Sequence, residues 1–286
     1  MPRGLDTVTG FVTAPGAAFT AWTMAAGDSL AVRAAVPGSN IWLVAAWAWN
    51  QVAGVLRVRS PRLHDNVQGI RMRIPANIVN NKLPNFRNGN AAQKLFTQDT
   101  LIAEQTGSAV GGQIETGSLL IWYDDVPGIA GRFITSAQLQ KFGVNIMGQE
   151  VTVTTGVGGG YTGSVAINSV NDNFKANTDY ALIGGYCDTR VSTVRIKGID
   201  TGNLGVGFPG DPTLQDFTAD WFARLEQATG IAMIPVFNSQ NKAGITVDAV
   251  SQQVAVTTVI TLLMVELQQG SVPLVSLPAA QPGGRA

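Results

Sequence analysis

The chain is 286 residues long, carries 19 Lys and Arg against 19 Asp and Glu, and has a sequence pI of about 6.6. With charged residues at 13% and no block of like charge, it lacks the basic footprint of a general nucleic-acid binder. One cysteine, Cys187, and one histidine, His64, exclude an intrachain disulfide, a cysteine-based zinc site and most constellations that use histidine more than once.

The N-terminal MPRGLDTVTG has no basic-then-apolar signal pattern. Gly27 to Val36 reads as a strand that stops at the Pro37-Gly38 turn. Ile41 to Trp49 is apolar at both parities, which predicts a strand covered on both sides. It is too short to span a bilayer. Within it, period-2 alternation places Trp47 and Trp49 on one face and Trp42 on the other. GVLRVRS and QGIRMRIP alternate apolar with basic residues. Arg57, Arg59, Arg62, Arg71 and Arg73 form a loose basic stretch that alternates with Val58, Leu63, Ile70 and Met72, which reads as the outward face of strands, the alternative being a polyanion-facing or partner-facing patch; His64 lies in a loop before a strand. Asn90 to Thr106 has helical spacing and ends at Gly107, and Ser118 to Asp125 returns to strand.

Val126 to Gly131 reads as a connector. Beyond it, EVTVTTG, SVAINSV, YALIGGY, STVRIKGI, LGVGFP, GITVDAV and QVAVTTVITLLMVEL are strand-like, short runs of Val, Ile and Thr punctuated by Gly, Pro, Asn and Asp. Gly156 to Gly163 lacks the phosphate-cradling pattern and reads as a turn. Phe217 to Thr229 predicts a second helix, with Phe217, Trp221, Phe222 and Leu225 on one face and Gly230 as its stop. Pro273 to Ala286 is a Pro/Gly/Ala-rich tail.

The halves align with each other. Ile41–Arg59 matches Asp179–Lys197 without a gap, setting Trp42 on Tyr180, Leu56 on Val194, Arg57 on Arg195 and Arg59 on Lys197. IRMRIP has a counterpart in LGVGFP, and SLLIWYDD in TLLMVEL. A period above 100 residues is too long for a solenoid and points to two similar domains in tandem. The expected division is 1–128, 129–271 and a C-terminal tail over 272–286, each domain an all-β sandwich or barrel with a short inserted helix.

No catalytic, cofactor-binding or metal set emerges. There is no G-x-S-x-G elbow, and any Ser-His-Asp arrangement would have to use His64. The carboxylates that could serve a glycosidase, Asp124-Asp125, Asp216, Asp220 and Asp248, read as turn formers, caps or strand residues.

Two β-barrels in tandem, each with a helix late in the barrel, resemble the double jelly-roll major capsid proteins of tailless icosahedral viruses and phages. The resemblance implies two jelly rolls from an internal duplication. It implies a non-enzymatic structural protein, with the chain itself as partner in a homotrimer of pseudo-hexagonal outline tiling a shell, without specific nucleic acid or cofactor. It implies a virion location after synthesis in the host cytoplasm, with minor capsid or spike proteins and an underlying membrane as further partners. Trp221, Phe222, Pro273 and Leu277 are the expected subunit-interface residues. The alternatives are another self-assembling β-protein (spike, tail or shell component) and a two-domain carbohydrate-binding protein or glycosidase.

Overall fold

The computed structural model describes residues 3–63, 66–77, 80–82, 93–161, 163–253 and 255–271. His64, Pro273 and Leu277 lie outside the described residues. The first half contains β1 (Arg3–Thr13), β2 (Thr20–Ala21), β3 (Thr23–Met24), β4 (Asn40–Trp49), β5 (Gly54–Arg59), β6 (Ile70–Ile74), β7 (Asn80–Lys82), β8 (Gln93–Leu95), β9 (Ile102–Gln105) and β10 (Ile114–Asp124). The second contains β11 (Phe133–Ile134), α1 (Ser136–Phe142), β12 (Gly143–Thr154), β13 (Val165–Ala166), β14 (Asp179–Cys187), β15 (Val191–Lys197), β16 (Val206–Gly210), α2 (Gln215–Thr218), α3 (Trp221–Thr229), β17 (Ile234–Asn238), β18 (Thr246–Val250) and β19 (Thr257–Leu267).

The strand orders repeat. β2-β9-β5-β6 in the first half corresponds to β13-β18-β15-β16 in the second, and β1-β10-β4-β8 corresponds to β12-β19-β14-β17, because β8 pairs antiparallel with Ile41–Leu43 as β17 pairs with the aligned Asp179–Ala181; β7 adds a strand farther along β4. All of these pairings are antiparallel. Each half is therefore a jelly roll, two four-strand arrays facing each other, and the protein is an all-β tandem of two. β10 and β19 are both 11 residues long and start at equivalent places in the aligned sequence.

The sheets stack in four layers. The first layer, β2-β9-β5-β6, and the second, built on β1-β10-β4, enclose a core of Leu56, Val58, Met72 and Ile74 against Val8, Leu43, Leu119 and Ile121. The second layer is buried on its other face too: Leu120 and Trp122, which alternate with Leu119 and Ile121 along β10, join a larger core shared with the second half. That core runs through the third layer, β13-β18-β15-β16, to the fourth, built on β12-β19-β14-β17. The run at Ile41–Trp49 is covered on both sides, as its two-parity apolar pattern demands.

Three local expectations are corrected. Trp42 packs with the same cluster as Trp47 and Trp49. A register irregularity where β4 passes Leu120/Ile121 resets the alternation between them. Asn90–Thr106 is not helical where described: β8 and β9 occupy it, separated by a turn in which Gln98 has φ 56°. Pairing with β4 and β5 buries Leu95 and Ala103, and this outweighs the local helical spacing. Among the described residues the inserted helix is seen in the second half, where it is split into α2 and α3 between Thr218 and Trp221. Gly27–Val36 forms only an isolated bridge at Ala31. One helix was not anticipated, α1, although Thr135 and Gln138 form its capping box, a T-x-x-Q signal present in the sequence.

Candidate functional site: the seam between the barrels and the outer faces

The second layer meets the third along a buried polar seam. Trp47 crosses it: its indole N–H donates to the carbonyl of Ser192 and to Thr193 Oγ1, both at 3.0 Å. Thr193 Oγ1 lies 2.6 Å from Ser118 Oγ, which lies 2.8 Å from Thr9 Oγ1, and Tyr161 donates to Thr9 Oγ1 at 2.8 Å. This chain crosses between the halves at Trp47–Thr193, Ser118–Thr193 and Tyr161–Thr9, with Thr9–Ser118 as the link inside the first half, so these buried hydroxyls are satisfied across the seam. Beside it, Thr7 N–H donates to Gly205 O at 2.7 Å and Gly205 N–H donates to Asp6 at 3.2 Å.

An ionic knot closes the same seam. Arg195 of β15 makes two bonds to Asp248 of β18, at 2.9 and 2.7 Å, and a third at 2.9 Å to Asp28 of the first half. Its guanidinium lies 3.4 Å from the ring centre of Tyr161. Asp28 also accepts from Thr9 N–H at 2.7 Å. Burial raises the Asp28 carboxyl to about 6 in spite of these partners, and burial likewise lifts Asp6 and Asp248. Asp6, Asp28, Arg33, Tyr123, Arg195 and Lys197 line a cavity of about 200 Å³ between the barrels.

The connector between the halves is fixed, not loose. Val126 and Ile129 are buried, Gly131 N–H donates to Arg3 O at 2.7 Å, and Arg132 is bound bidentately by Asp179 at 2.8 and 2.6 Å. Trp221 and Phe222, expected at a subunit interface, lie inside the chain at 1% and 0% exposure. Trp221 stacks edge-on against Trp47, with ring centres 5.6 Å apart, so α3 helps bind one barrel to the other.

The two outer layers present unlike faces. On the first layer, Arg57 and Arg59 of β5 and Arg71 and Arg73 of β6 point outward, with Arg71 and Arg73 exposed. Glu104 of β9 accepts from both Arg57 and Arg59, at 2.7 and 2.9 Å, and its bond with Arg59 leads in holding its carboxyl below the usual range. Phe19 lies under Arg57 and Arg71, at 3.9 and 5.4 Å from its ring centre. On the fourth layer, β12 is the edge strand, and Val144 and Ile146 on its outward side are 58% and 73% exposed. Glu150 is the charged residue on that side.

The remaining carboxylates considered from sequence are dispersed. Asp124 pairs with Arg3 at 3.3 Å, Asp220 with Arg224, and Asp248 with Arg195, while Asp125 is a left-handed turn residue with φ 58°. Among the described residues no group of three or more His, Cys, Asp or Glu is arranged to hold a metal ion. The seam residues Thr9, Asp28, Ser118 and Thr193 escaped sequence reading, because nothing in a single strand says which face meets a second barrel.

No protein-family model and no curated protein matches this sequence. Among solved structures, the PBSX exported protein XepA is 10% identical over 88% of each chain, with a TM-score of 0.20. The STIV MCP is 7% identical over 94% of this chain and 98% of its own, at 0.21. The major capsid protein P2 from Bacteriophage PM2 is 10% identical over 95% and 100%, at 0.24. At TM-scores this low the matches carry no argument, and the fold rests on the strand order itself.

Proposed function

We propose that the chain is a structural capsid subunit, a non-enzymatic tile that assembles as a homotrimer of pseudo-hexagonal outline within a virion shell. The observation that carries this reading is the fusion of two jelly rolls of identical strand order through a buried seam. Three such chains supply six barrels of one kind, so a three-fold ring acquires a nearly six-fold outline and can pave a flat facet. A seam of buried hydrogen bonds and an ionic knot supports the rigidity a tile requires. The domains are residues 1–128 and 129–271, with 272–286 as a tail reaching neighbouring subunits through Pro273 and Leu277. Minor capsid or spike proteins, and a membrane beneath the shell, are compatible partners, and synthesis would take place in the host cytoplasm.

The test is native mass by light scattering on a sizing column, followed by electron microscopy of concentrated protein. A species near three times 30.0 kDa, or shells built from it, supports the reading. A strict monomer at every concentration overturns it.

A further inference from the structure

The ionic knot of the seam has a twin on the outside of the molecule. Arg57 stands opposite Glu104 in the β5–β9 pair as Arg195 stands opposite Asp248 in the β15–β18 pair. Each arginine binds that carboxylate through Nε and a terminal nitrogen, and each lies against an aromatic ring just before the first strand of its sheet, Phe19 or Tyr161. In the third layer this knot is roofed by β1: Thr9 bonds Tyr161 and Asp28, and Asp28 completes Arg195. In the first layer the same side faces outward.

The roof also has a twin. Thr9 pairs with Ser118 in β1–β10, and Glu150 pairs with Thr261 in β12–β19. Ser118 and Thr261 hold the same position in two strands of equal length, so Glu150 occupies on the fourth layer the place of Thr9 on the second. Within one chain the second layer has taken the third. Among the described residues no sheet covers the first or the fourth layer, so these two faces remain for a second such contact.

We infer that the fourth layer of one copy docks on the first layer of the next, repeating between chains the contact made within one, with Glu150 meeting the Arg57–Arg71 cluster. This rests on the assembly reading above and names its surface. Charge supports the pairing. Arg71 sits directly across from Arg57; Glu104 already neutralises Arg57 and Arg59, whereas Arg71 has no ion pair among the described residues and is the cation an incoming carboxylate would meet. Glu150 is exposed and has no ion pair among the described residues. Residues 1–128 carry ten Lys and Arg against eight Asp and Glu, whereas residues 129–286 carry nine against eleven. The halves are therefore of opposite sign, which favours head-to-tail contact over like meeting like. The twin is not a replica. Gly207, which opposes Arg195 in β16, is answered in β6 by Arg71, opposite Arg57. The contact between chains is thus wider and more polar than the seam, with Val144 and Ile146 supplying its apolar part.

The experiment measures association by light scattering for the wild type, Arg71→Glu, Glu150→Arg and the double variant. Each single reversal is expected to weaken association at least about tenfold, and the double to recover most of it. Both sites are exposed, so the monomer should stay folded, which circular dichroism and the thermal midpoint check. The neutral pair Arg71→Gln and Glu150→Gln should weaken association by less than the reversals. Single variants that assemble like the wild type, or a double variant that fails to recover, overturn the pairing while an assembled wild type keeps the tile reading intact. A monomeric wild type ends both.

Discussion

Arg57 and Arg195 hold equivalent positions in two copies of one strand pair, but only Arg195 ties the two barrels together. The difference lies in their partners. Glu104 is shared between Arg57 and Arg59, so losing Arg57 leaves that carboxylate neutralised. Losing Arg195 strands two carboxylates, Asp28 and Asp248, each at 6% side-chain exposure. Arg195→Met should cost about 3–5 kcal/mol, the range for breaking a buried pair from one side. Arg57→Met should cost about 1 kcal/mol, the scale of a partly exposed pair. Urea unfolding of the two variants under conditions that keep the chain monomeric checks this, and equal losses would remove the distinction.

Asp28 gives the seam an unusual dependence on pH. Its folded pKa of about 6 lies above the ordinary carboxylate value of 3.8, so between those values the folded protein holds a proton that the unfolded chain releases. Stability from this group is therefore present below about 3.8 and is lost as pH rises through about 6. The full span corresponds to at most about 3 kcal/mol, since one pKa unit is about 1.4 kcal/mol. Raised Asp6 and Asp248 act in the same direction, and lowered Glu104 acts against them. Asp28→Asn should flatten the denaturation midpoint between pH 4 and pH 6.5 and should not lower it at pH 7. Unchanged pH dependence in the variant would sink this account.

Gly207 sets how closely the barrels approach. A Cβ there would lie 2.7 Å from both Thr7 Oγ1 and Val194 O, and 3.1 Å from Thr7 Cγ2. Its strand, β16, runs against β1, where Thr7 N–H reaches Gly205 O. Gly207→Ala should destabilise by about 1–3 kcal/mol, the usual cost of overpacking a filled interior. Thr7→Ala in the same chain should restore part of that loss, because it removes the side-chain clashes and leaves the one with Val194 O. A double variant no better than the single would mean that the backbone contact alone sets the distance.

Much of this was legible in the residues. The alignment of Arg57 on Arg195 and of Ser118 on Thr261 located corresponding strands in both halves, since apolar alternation and length survive duplication better than identity does. The two-parity apolar run at Ile41–Trp49 announced a sheet covered twice. What it could not announce was the cover: the interior side of α3 and the hydroxyls of Thr193 and Ser118 gain meaning only when strands far apart in sequence meet. Helical spacing at Asn90–Thr106 misled because Leu95 and Ala103 are buried by pairing with β4 and β5, which local pattern does not record. Trp221 and Phe222 are large apolar residues on one helix face, and such a face serves a core or an interface equally well until the neighbouring barrel is in place.

Cys187 offers a sensor for the integrity of the second barrel. It is buried in β14 with its side chain turned into the core, and burial pushes its thiol up to about 12 from an ordinary 9.0, despite a bond from Thr258 that works the other way. The thiolate is the reacting species, so at pH 8 the native thiol should present about a thousandfold less of it than an open chain does. Access is closed as well: a Cβ at Gly210 would already lie 3.2 Å from Cys187 Sγ. A chromogenic disulfide reagent should therefore leave native protein unlabelled and modify one thiol per chain in denaturant. At intermediate denaturant the labelling rate should follow the opening of the barrel, not the reagent concentration, once reclosing is slower than reaction. Arg195→Met, which loosens the seam without touching the β14 core, should raise the rate only as far as it raises unfolding. Full labelling of the native protein within minutes would show that β14 opens on its own and that the second barrel is not the rigid unit its packing describes.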